Sequence, residues 1–126
     1  MESLAGRRIL VVEDEYILAQ CLCEVLEQEG VEVLGPVASI EDAIALLERG
    51  PQPDAAVLDV NLGNQSVYPV ADRLGRQQVP MLFTSGYDRE MASARYPRSA
   101  QCSKPFGAAE VRGMLLSLLE HHAHVD

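Results

Sequence analysis

The chain has 126 residues, 48% of them hydrophobic, and a formal net charge of −9 at pH 7. This length can bury one hydrophobic core and is too short for two ordinary domains, so we expect a single domain over residues 1–126 with a core of about residues 7–121. The excess of acidic residues argues against binding to nucleic acid or to an anionic membrane surface, because both need clustered Lys and Arg. No run of about 18 apolar residues is present, and we expect a cytoplasmic protein.

Short apolar runs rich in β-branched residues alternate with segments of helical periodicity along the first half of the chain. They predict the order βαβαβ over residues 8–12, 16–29, 31–37, 40–49 and 54–60. Gly35 and Pro36 indicate a bulge or an edge position in the second strand, and Ser39 caps the second helix. The apolar face predicted for the first helix consists of Ile17, Leu18, Cys21, Leu22, Val25 and Leu26.

The second half of the chain continues this alternation with weaker signals. After a polar loop at residues 61–66, the pattern predicts a helix, a fourth strand, a weakly helical segment, a fifth strand and a final amphipathic helix, over residues 67–77, 79–85, 88–97, 99–103 and 107–121. Alternating strands and helices predict right-handed βαβ units. The predicted fold class is therefore α/β, with a doubly wound, five-stranded parallel sheet of order 2-1-3-4-5.

Acidic side chains close two strands that this order places side by side. Glu13 and Asp14 follow the first strand, and Asp59 lies at the end of the third. In open α/β sheets ligands bind outside the carboxyl ends of the strands where the strand order reverses, which here is between these two strands. Three like charges raise one another's pKa unless a cation neutralises them, and Mg²⁺ is suited to carboxylate oxygens. The sequence therefore predicts a magnesium site.

Two more polar side chains are expected at the same edge of the sheet. Ser85 ends the fourth strand, and Lys104, the only lysine in the chain, follows the fifth. A carboxylate can attack phosphorus when a metal screens the incoming charge, while a hydroxyl and an ammonium group hold the phosphoryl oxygens. Each residue alone is common at a strand end, but the joint pattern predicts that Asp59 accepts a phosphoryl group.

Four segments lie at these strand ends: VVEDE (11–15), LDVNLG (58–63), FTSGY (83–87) and SKPF (103–106). They resemble the receiver domain of bacterial two-component response regulators, and the resemblance spans nearly the whole chain. The fourth-strand segment is similar to the Phe-Ala-Thr-Gly-Tyr-like stretch of a receiver subgroup common in alphaproteobacteria. The resemblance implies a flavodoxin-like fold.

The resemblance also implies a role for each residue of the site. Those roles are Glu13 and Asp14 as metal-binding acids, Asp59 as phosphoacceptor and metal ligand, Asn61 as a backbone carbonyl ligand of Mg²⁺, and Lys104 as the contact to the phosphoryl group. A cis peptide is expected between Lys104 and Pro105. Ser85 corresponds to the family's switch hydroxyl, with Thr84 as the alternative, and Gly86 to the small residue that leaves room for the phosphoryl group.

The sequence departs from the family pattern at three places. The segment after Tyr87 is short and contains Pro97, so we expect the fourth helix to be shortened. Gln101 stands three residues before Lys104, where receivers often have Tyr or Phe, so the familiar pairing of a hydroxyl with an aromatic switch is not expected in its usual form. Glu13 replaces the first Asp of the acidic pair, which lengthens the side chain by one methylene.

As a receiver, the chain would take its phosphoryl group from a phosphohistidine of a sensor histidine kinase or of a phosphotransfer protein. It would catalyse only its own phosphorylation and dephosphorylation, and it would signal by contact with a downstream protein. We expect a stand-alone, monomeric receiver that serves as a relay intermediate, a phosphate sink or a kinase regulator.

Three other interpretations remain open from the sequence. A receiver-like module could bind partners constitutively without phosphorylation. A hydrolase with an aspartyl-phosphate intermediate would need a second Asp two residues after the nucleophile, where this chain has Asn61. The chain is also compatible with a segment of a larger regulator or hybrid kinase.

Overall fold

The computed structural model describes residues 3–86, 92–96 and 99–124. The strands in these ranges are β1 (Arg8–Val12), β2 (Glu32–Val37), β3 (Ala55–Asp59), β4 (Asn61–Leu62), β5 (Gln65–Ser66), β6 (Met81–Ser85) and β7 (Ser99–Ser103). The helices are α1 (Tyr16–Gln28), α2 (Ile40–Arg49), α3 (Tyr68–Arg76) and α4 (Ala108–His124), with a 3-10 helix at Ala92–Arg95.

Five of the strands form one parallel sheet in the order β2-β1-β3-β6-β7. β6 and β7 are the predicted fourth and fifth strands, so both the α/β class and the predicted order 2-1-3-4-5 are confirmed. None of the helices in the described ranges is long and apolar enough to cross a membrane.

The central strands β1, β3 and β6 are buried on both faces of the sheet, because helices pack against the side chains that point to either side. One face packs against α2 and α3, with a core of Leu10, Val12, Ala43, Leu47, Ala56, Leu58, Val70, Ala71, Leu74 and Phe83. The other face packs against α1 and α4, with a core of Ile9, Val11, Leu22, Leu26, Val57, Leu82, Val111, Leu115 and Leu119. These two layers hold β1 and β3 side by side and fix the positions of the acids at their ends.

The edge strand β2 contains the irregularity that Gly35 and Pro36 predict. Its register against β1 shifts between Leu10 and Val12, and the Gly35–Pro36 peptide is cis. Gly35 has φ +105°, and a Cβ atom there would lie 2.9 Å from the carbonyl oxygen of Val11. Glycine is therefore required at this bulge.

Two local predictions need correction. The segment at residues 61–66 is not only a polar loop, because β4 and β5 form a short antiparallel hairpin there. In α1, Leu22 and Leu26 are buried as predicted, but Ile17 and Cys21 are exposed, and Ala19 and Cys23 are buried in their place. The α1 face that meets the sheet is therefore rotated from the predicted one.

The predicted weak helix before β7 lies partly outside the described residues, which lack 87–91 and 97–98. Its described part is a single 3-10 turn, followed by the buried Tyr96. The Tyr96 ring stacks on Phe83 with centroids 5.5 Å apart, and its hydroxyl donates to Asp72 Oδ1 on α3 at 2.7 Å. Tyr96 thus ties the connection between β6 and β7 to the sheet and to α3.

Candidate functional site

The carboxyl ends of β1 and β3 bring three acids together. Val12 pairs with Leu58 in the parallel ladder, so the next residues, Glu13 and Asp59, lie side by side. One carboxylate oxygen from each of Glu13, Asp14 and Asp59 lies within 4.8 Å of the others. Glu13 and Asp59 are buried, whereas Asp14 is exposed. The predicted acidic cluster therefore exists at the predicted edge of the sheet.

Backbone amides orient each of these carboxylates. The Glu15 amide donates to Glu13 Oε2 at 3.1 Å, and the Asn61 amide donates to Asp59 Oδ1 at 3.2 Å. The amide of Gly63 donates to Asp14 Oδ2 at 2.8 Å, from a backbone with φ +63° that favours glycine. The loops after β1 and β3 thus preorganise the acids through main-chain donors.

Lys104 supplies a positive charge to this cluster. Its Nζ lies 3.0 Å from Asp59 Oδ2, 3.2 Å from Glu13 Oε1 and 2.8 Å from Glu15 Oε1. Burial alone would lower the pKa of Lys104, but its hydrogen bonds to Glu15 and Asp59 raise that pKa above its ordinary value. The predicted cis peptide between Lys104 and Pro105 is confirmed.

The acids still carry more charge than one lysine neutralises. Burial and, to a smaller extent, the nearby Asp59 raise the pKa of Glu13 to about 7, against the opposing effects of the Glu15 amide and Lys104. A divalent cation would relieve this repulsion. The donor set consists of hard carboxylate oxygens, two buried and one exposed, and it fits Mg²⁺, which keeps several waters when bound.

Two residues with hydroxyl side chains, Thr84 and Ser85, end β6, and they differ in their hydrogen bonding. Ser85 is 1% exposed, and its Oγ accepts a hydrogen bond from Gln101 Nε2 at 3.0 Å. The carbonyl oxygen of Ser85 also accepts from the Lys104 amide at 2.7 Å. Thr84 Oγ1 is buried and has no hydrogen-bond partner among the described residues. A Cβ atom at Gly86 would contact nothing described within 4 Å, which fits the open space expected there.

Comparison with known proteins matches residues 9–115 to the response regulator receiver domain model. The chain belongs to the response regulator receiver family. This receiver domain is 35% identical to SdrG from Sphingomonas melonis, and its structure superposes on the solution structure of SdrG with a TM-score of 0.78. The superposed region covers 94% of this chain and 99% of SdrG. The crystal structure of a receiver domain of a sensor histidine kinase from Pseudomonas aeruginosa, 22% identical with a TM-score of 0.76, covers 92% of this chain and is 99% covered. That protein holds a magnesium ion in its active-site cleft.

The similarity to longer regulators is confined to part of their length. The receiver domain is 27% identical over 114 residues to the phyllosphere-induced regulator PhyR of Methylorubrum extorquens. The aligned region covers 88% of this chain but only 43% of PhyR. The chain spans about half the length of the curated relatives it matches first. Their similarity therefore bears on the receiver fold and not on the activity of the whole proteins.

The structure brings together most of the predicted site and adds two residues to it. Glu13, Asp14, Asp59 and Lys104 converge, while the role of the Asn61 carbonyl stays a prediction. Glu15 was not assigned to the site, although its carboxylate makes the shortest contact to Lys104. The run of three acids after β1 was the available signal for it.

Gln101 is the second addition to the site of this receiver domain. The sequence marked its position as a departure from the family, without indicating that its amide would reach Ser85. That contact depends on the pairing of β6 with β7, which brings the two side chains to the same face of the sheet.

Proposed function

We propose that this receiver domain accepts a phosphoryl group on Asp59 from a phosphohistidine of a sensor histidine kinase or phosphotransfer protein, in a Mg²⁺-dependent reaction. The observation that carries the proposal is the convergence of three carboxylates within 4.8 Å, with Lys104 Nζ 3.0 Å from Asp59 Oδ2. Acidic side chains are seldom buried without a compensating charge, whereas two of these three carboxylates are buried and lie close together. Membership of the receiver family supports the same reaction.

The residues of the cluster have separate tasks in this reaction. Glu13, Asp14 and Asp59, with the backbone carbonyl of Asn61, would hold Mg²⁺, which when bound neutralises charge between the attacking carboxylate and the phosphoryl oxygens. An Asp59 carboxylate oxygen forms the new bond to phosphorus. The phosphorus–nitrogen bond of the phosphohistidine breaks, and the imidazole leaves with the electron pair.

The new phosphoryl oxygens need donors that the chain already holds at this edge of the sheet. Lys104 lies within hydrogen-bond distance of Asp59, so its ammonium can bind one of these oxygens. Ser85, at the end of the neighbouring strand, would donate its hydroxyl to another. Movement of these two side chains would change the surface around the site, and a downstream protein would recognise the changed surface.

Slow hydrolysis of the aspartyl phosphate would reset the domain, and we propose no further enzymatic activity. A hydrolase of phosphate esters would use a second acid two residues after the nucleophile. That position is Asn61, which contacts Asp59 Oδ1 through its backbone amide and has a neutral side chain. An amide side chain cannot exchange a proton with a leaving group at neutral pH.

Intact mass spectrometry tests the proposed function. The chain is incubated with Mg²⁺ and either acetyl phosphate or a phosphorylated sensor kinase, alongside Asp59→Asn and a matched variant, Asp42→Asn, at the exposed start of α2. We expect one added phosphoryl mass in the native chain and in Asp42→Asn, and none in Asp59→Asn or in the presence of EDTA.

Each other outcome has a distinct meaning. Mass gain in Asp59→Asn would place the acceptor elsewhere. No gain with any donor would leave a receiver fold without receiver chemistry, and a module that binds its partner constitutively would then be the better description.

A further inference from the structure

Gln101 is the residue that contacts the buried hydroxyl of Ser85. Phe83 pairs with Gln101 and Ser85 with Ser103 in the parallel ladder between β6 and β7. Because side chains two residues apart on a strand share a face, Gln101 and Ser85 lie on the same side of the sheet. The distance from Gln101 Nε2 to Ser85 Oγ is 3.0 Å, and the Ser85 carbonyl is also fixed by the Lys104 amide.

We propose that Gln101 is a positioning residue that holds the Ser85 hydroxyl with its proton available to the phosphoryl group on Asp59. This inference rests on the proposed function. A serine hydroxyl has one proton to donate and two lone pairs that accept. When Gln101 donates to a lone pair, the hydroxyl proton points away from the amide nitrogen and remains free for another acceptor.

This arrangement preorganises a donor before the phosphoryl group arrives. Donors that are already aimed at developing charge need no reorganisation during the reaction, which is the main source of their catalytic value. Ser85 is held by its side chain through Gln101 of β7 and by its carbonyl through Lys104, the residue that follows β7. The part of the chain from Gln101 to Lys104 therefore orients Ser85 and also carries Lys104, the other predicted phosphoryl contact.

The amide is suited to this task because it can donate to Ser85. A Glu side chain at the same position has nearly the same shape, but its carboxylate only accepts hydrogen bonds. In Gln101→Glu the Ser85 hydroxyl would donate its proton to that carboxylate. The proton would then no longer be available for a hydrogen bond to the phosphoryl group. A Met side chain has a similar length and donates no hydrogen bond, which leaves the hydroxyl free to rotate.

The experiment measures the initial rate of phosphorylation by acetyl phosphate in saturating Mg²⁺, a small donor that requires no docking of a kinase. The variants are Gln101→Glu, Gln101→Met, Ser85→Ala and the double variants Ser85→Ala/Gln101→Glu and Ser85→Ala/Gln101→Met, each checked for folding by thermal unfolding. We expect Gln101→Glu to slow the reaction about tenfold, as Ser85→Ala does, because one hydrogen bond to the charged group is lost. Gln101→Met should fall between the native rate and that of Gln101→Glu.

The double variant Ser85→Ala/Gln101→Glu separates positioning of Ser85 from a general effect of charge. If Gln101 acts through Ser85, the added carboxylate causes no further slowing once the hydroxyl is gone. Equal slowing by Gln101→Glu in both backgrounds would overturn the inference, because a negative charge alone would explain it. If Gln101→Glu does not fold, slowing by Gln101→Met that disappears in the Ser85→Ala background supports the inference, and a native rate overturns it.

The inference and the proposed function fail in different ways. A native chain that is phosphorylated on Asp59, together with a native rate for Gln101→Glu, overturns the role of Gln101 alone. A native rate for Ser85→Ala overturns the roles of Ser85 and Gln101 and leaves Asp59 as the acceptor. A native chain that gains no phosphoryl group overturns the proposed function and this inference with it.

Discussion

Thr84→Val should stabilise the protein, although Thr84 lies beside the site. The Thr84 hydroxyl is buried at 1% exposure and has no hydrogen-bond partner among the described residues. A buried hydroxyl that leaves water without a new partner costs about 1–3 kcal/mol. Valine has the same branched shape and places a methyl group where the hydroxyl was. We expect the free energy of unfolding to rise by about 1–2 kcal/mol, with an increase in Tm of roughly 3–8 °C.

Urea denaturation and calorimetry, both in EDTA, measure this change without a contribution from bound metal. Thr84→Ala is the matched control, because it removes the hydroxyl together with the methyl group and should destabilise the fold by about 1 kcal/mol. A loss of stability in Thr84→Val would mean that the hydroxyl has a partner, and the reasoning would be wrong. The phosphorylation rate should be unchanged in Thr84→Val, and a slowed rate would identify Thr84 rather than Ser85 as the switch hydroxyl.

Three further predictions concern stability and reactivity. In EDTA, the free energy of unfolding should fall as pH rises from about 4.5 to about 7, because the folded-state pKa of Glu13 is about 7 against an ordinary value of 4.5. The native state therefore binds the Glu13 proton more tightly than the unfolded state does. Protonated Glu13 adds at most about 3 kcal/mol to the free energy of unfolding, and this contribution is complete below pH 4.5. Glu13→Gln should remove the pH dependence in urea titrations at several pH values. Iodoacetamide should modify the exposed Cys21 rapidly in the native protein, with the two buried thiols reacting only in urea, as counted by intact mass. Tyr96→Phe should lower the free energy of unfolding by about 1 kcal/mol through loss of the bond to Asp72, and no loss in urea denaturation would contradict this.

The fold was predictable because its signals are local and agree with one another. Arg8–Val12, Ile40–Arg49 and Ser99–Ser103 form elements with the predicted bounds. The predicted cap is confirmed, since Ser39 Oγ accepts from the Asp42 amide at 3.1 Å. Buried strands produce continuous apolar runs, and the rule that sequential βαβ units are right-handed then leaves few topologies.

The errors arose where long-range packing decides the outcome. In α1, periodicity alone cannot choose between adjacent faces when small residues such as Ala19 and Cys23 compete with Ile17 and Cys21, and packing against the sheet and α4 selects the former pair. The β4–β5 hairpin depends on pairing of only four residues, which gives no detectable pattern in a polar segment.

In the site too, the residues could be predicted from the sequence, but some of their contacts could not. The acids and Lys104 could be placed from strand ends and topology, because the carboxyl ends of parallel strands share one edge. The contacts of Glu15 with Lys104 and of Gln101 with Ser85 could not, because they depend on side-chain rotamers and on the register between β6 and β7.

The partners of Lys104 differ in burial, and that difference bears on how readily the lysine changes partner. Its contacts to Glu13 and Asp59 are nearly buried, so breaking either one without replacement would leave an uncompensated charge. Its shortest contact is to Glu15, whose side chain is 63% exposed, and an exposed pair of this kind is worth about 0–1 kcal/mol. A cation bound between the acids would compensate Glu13 and Asp59, which leaves Glu15 as the remaining attraction for Nζ. Lys104 would then be held close to Asp59 by an interaction weak enough to exchange for a phosphoryl oxygen.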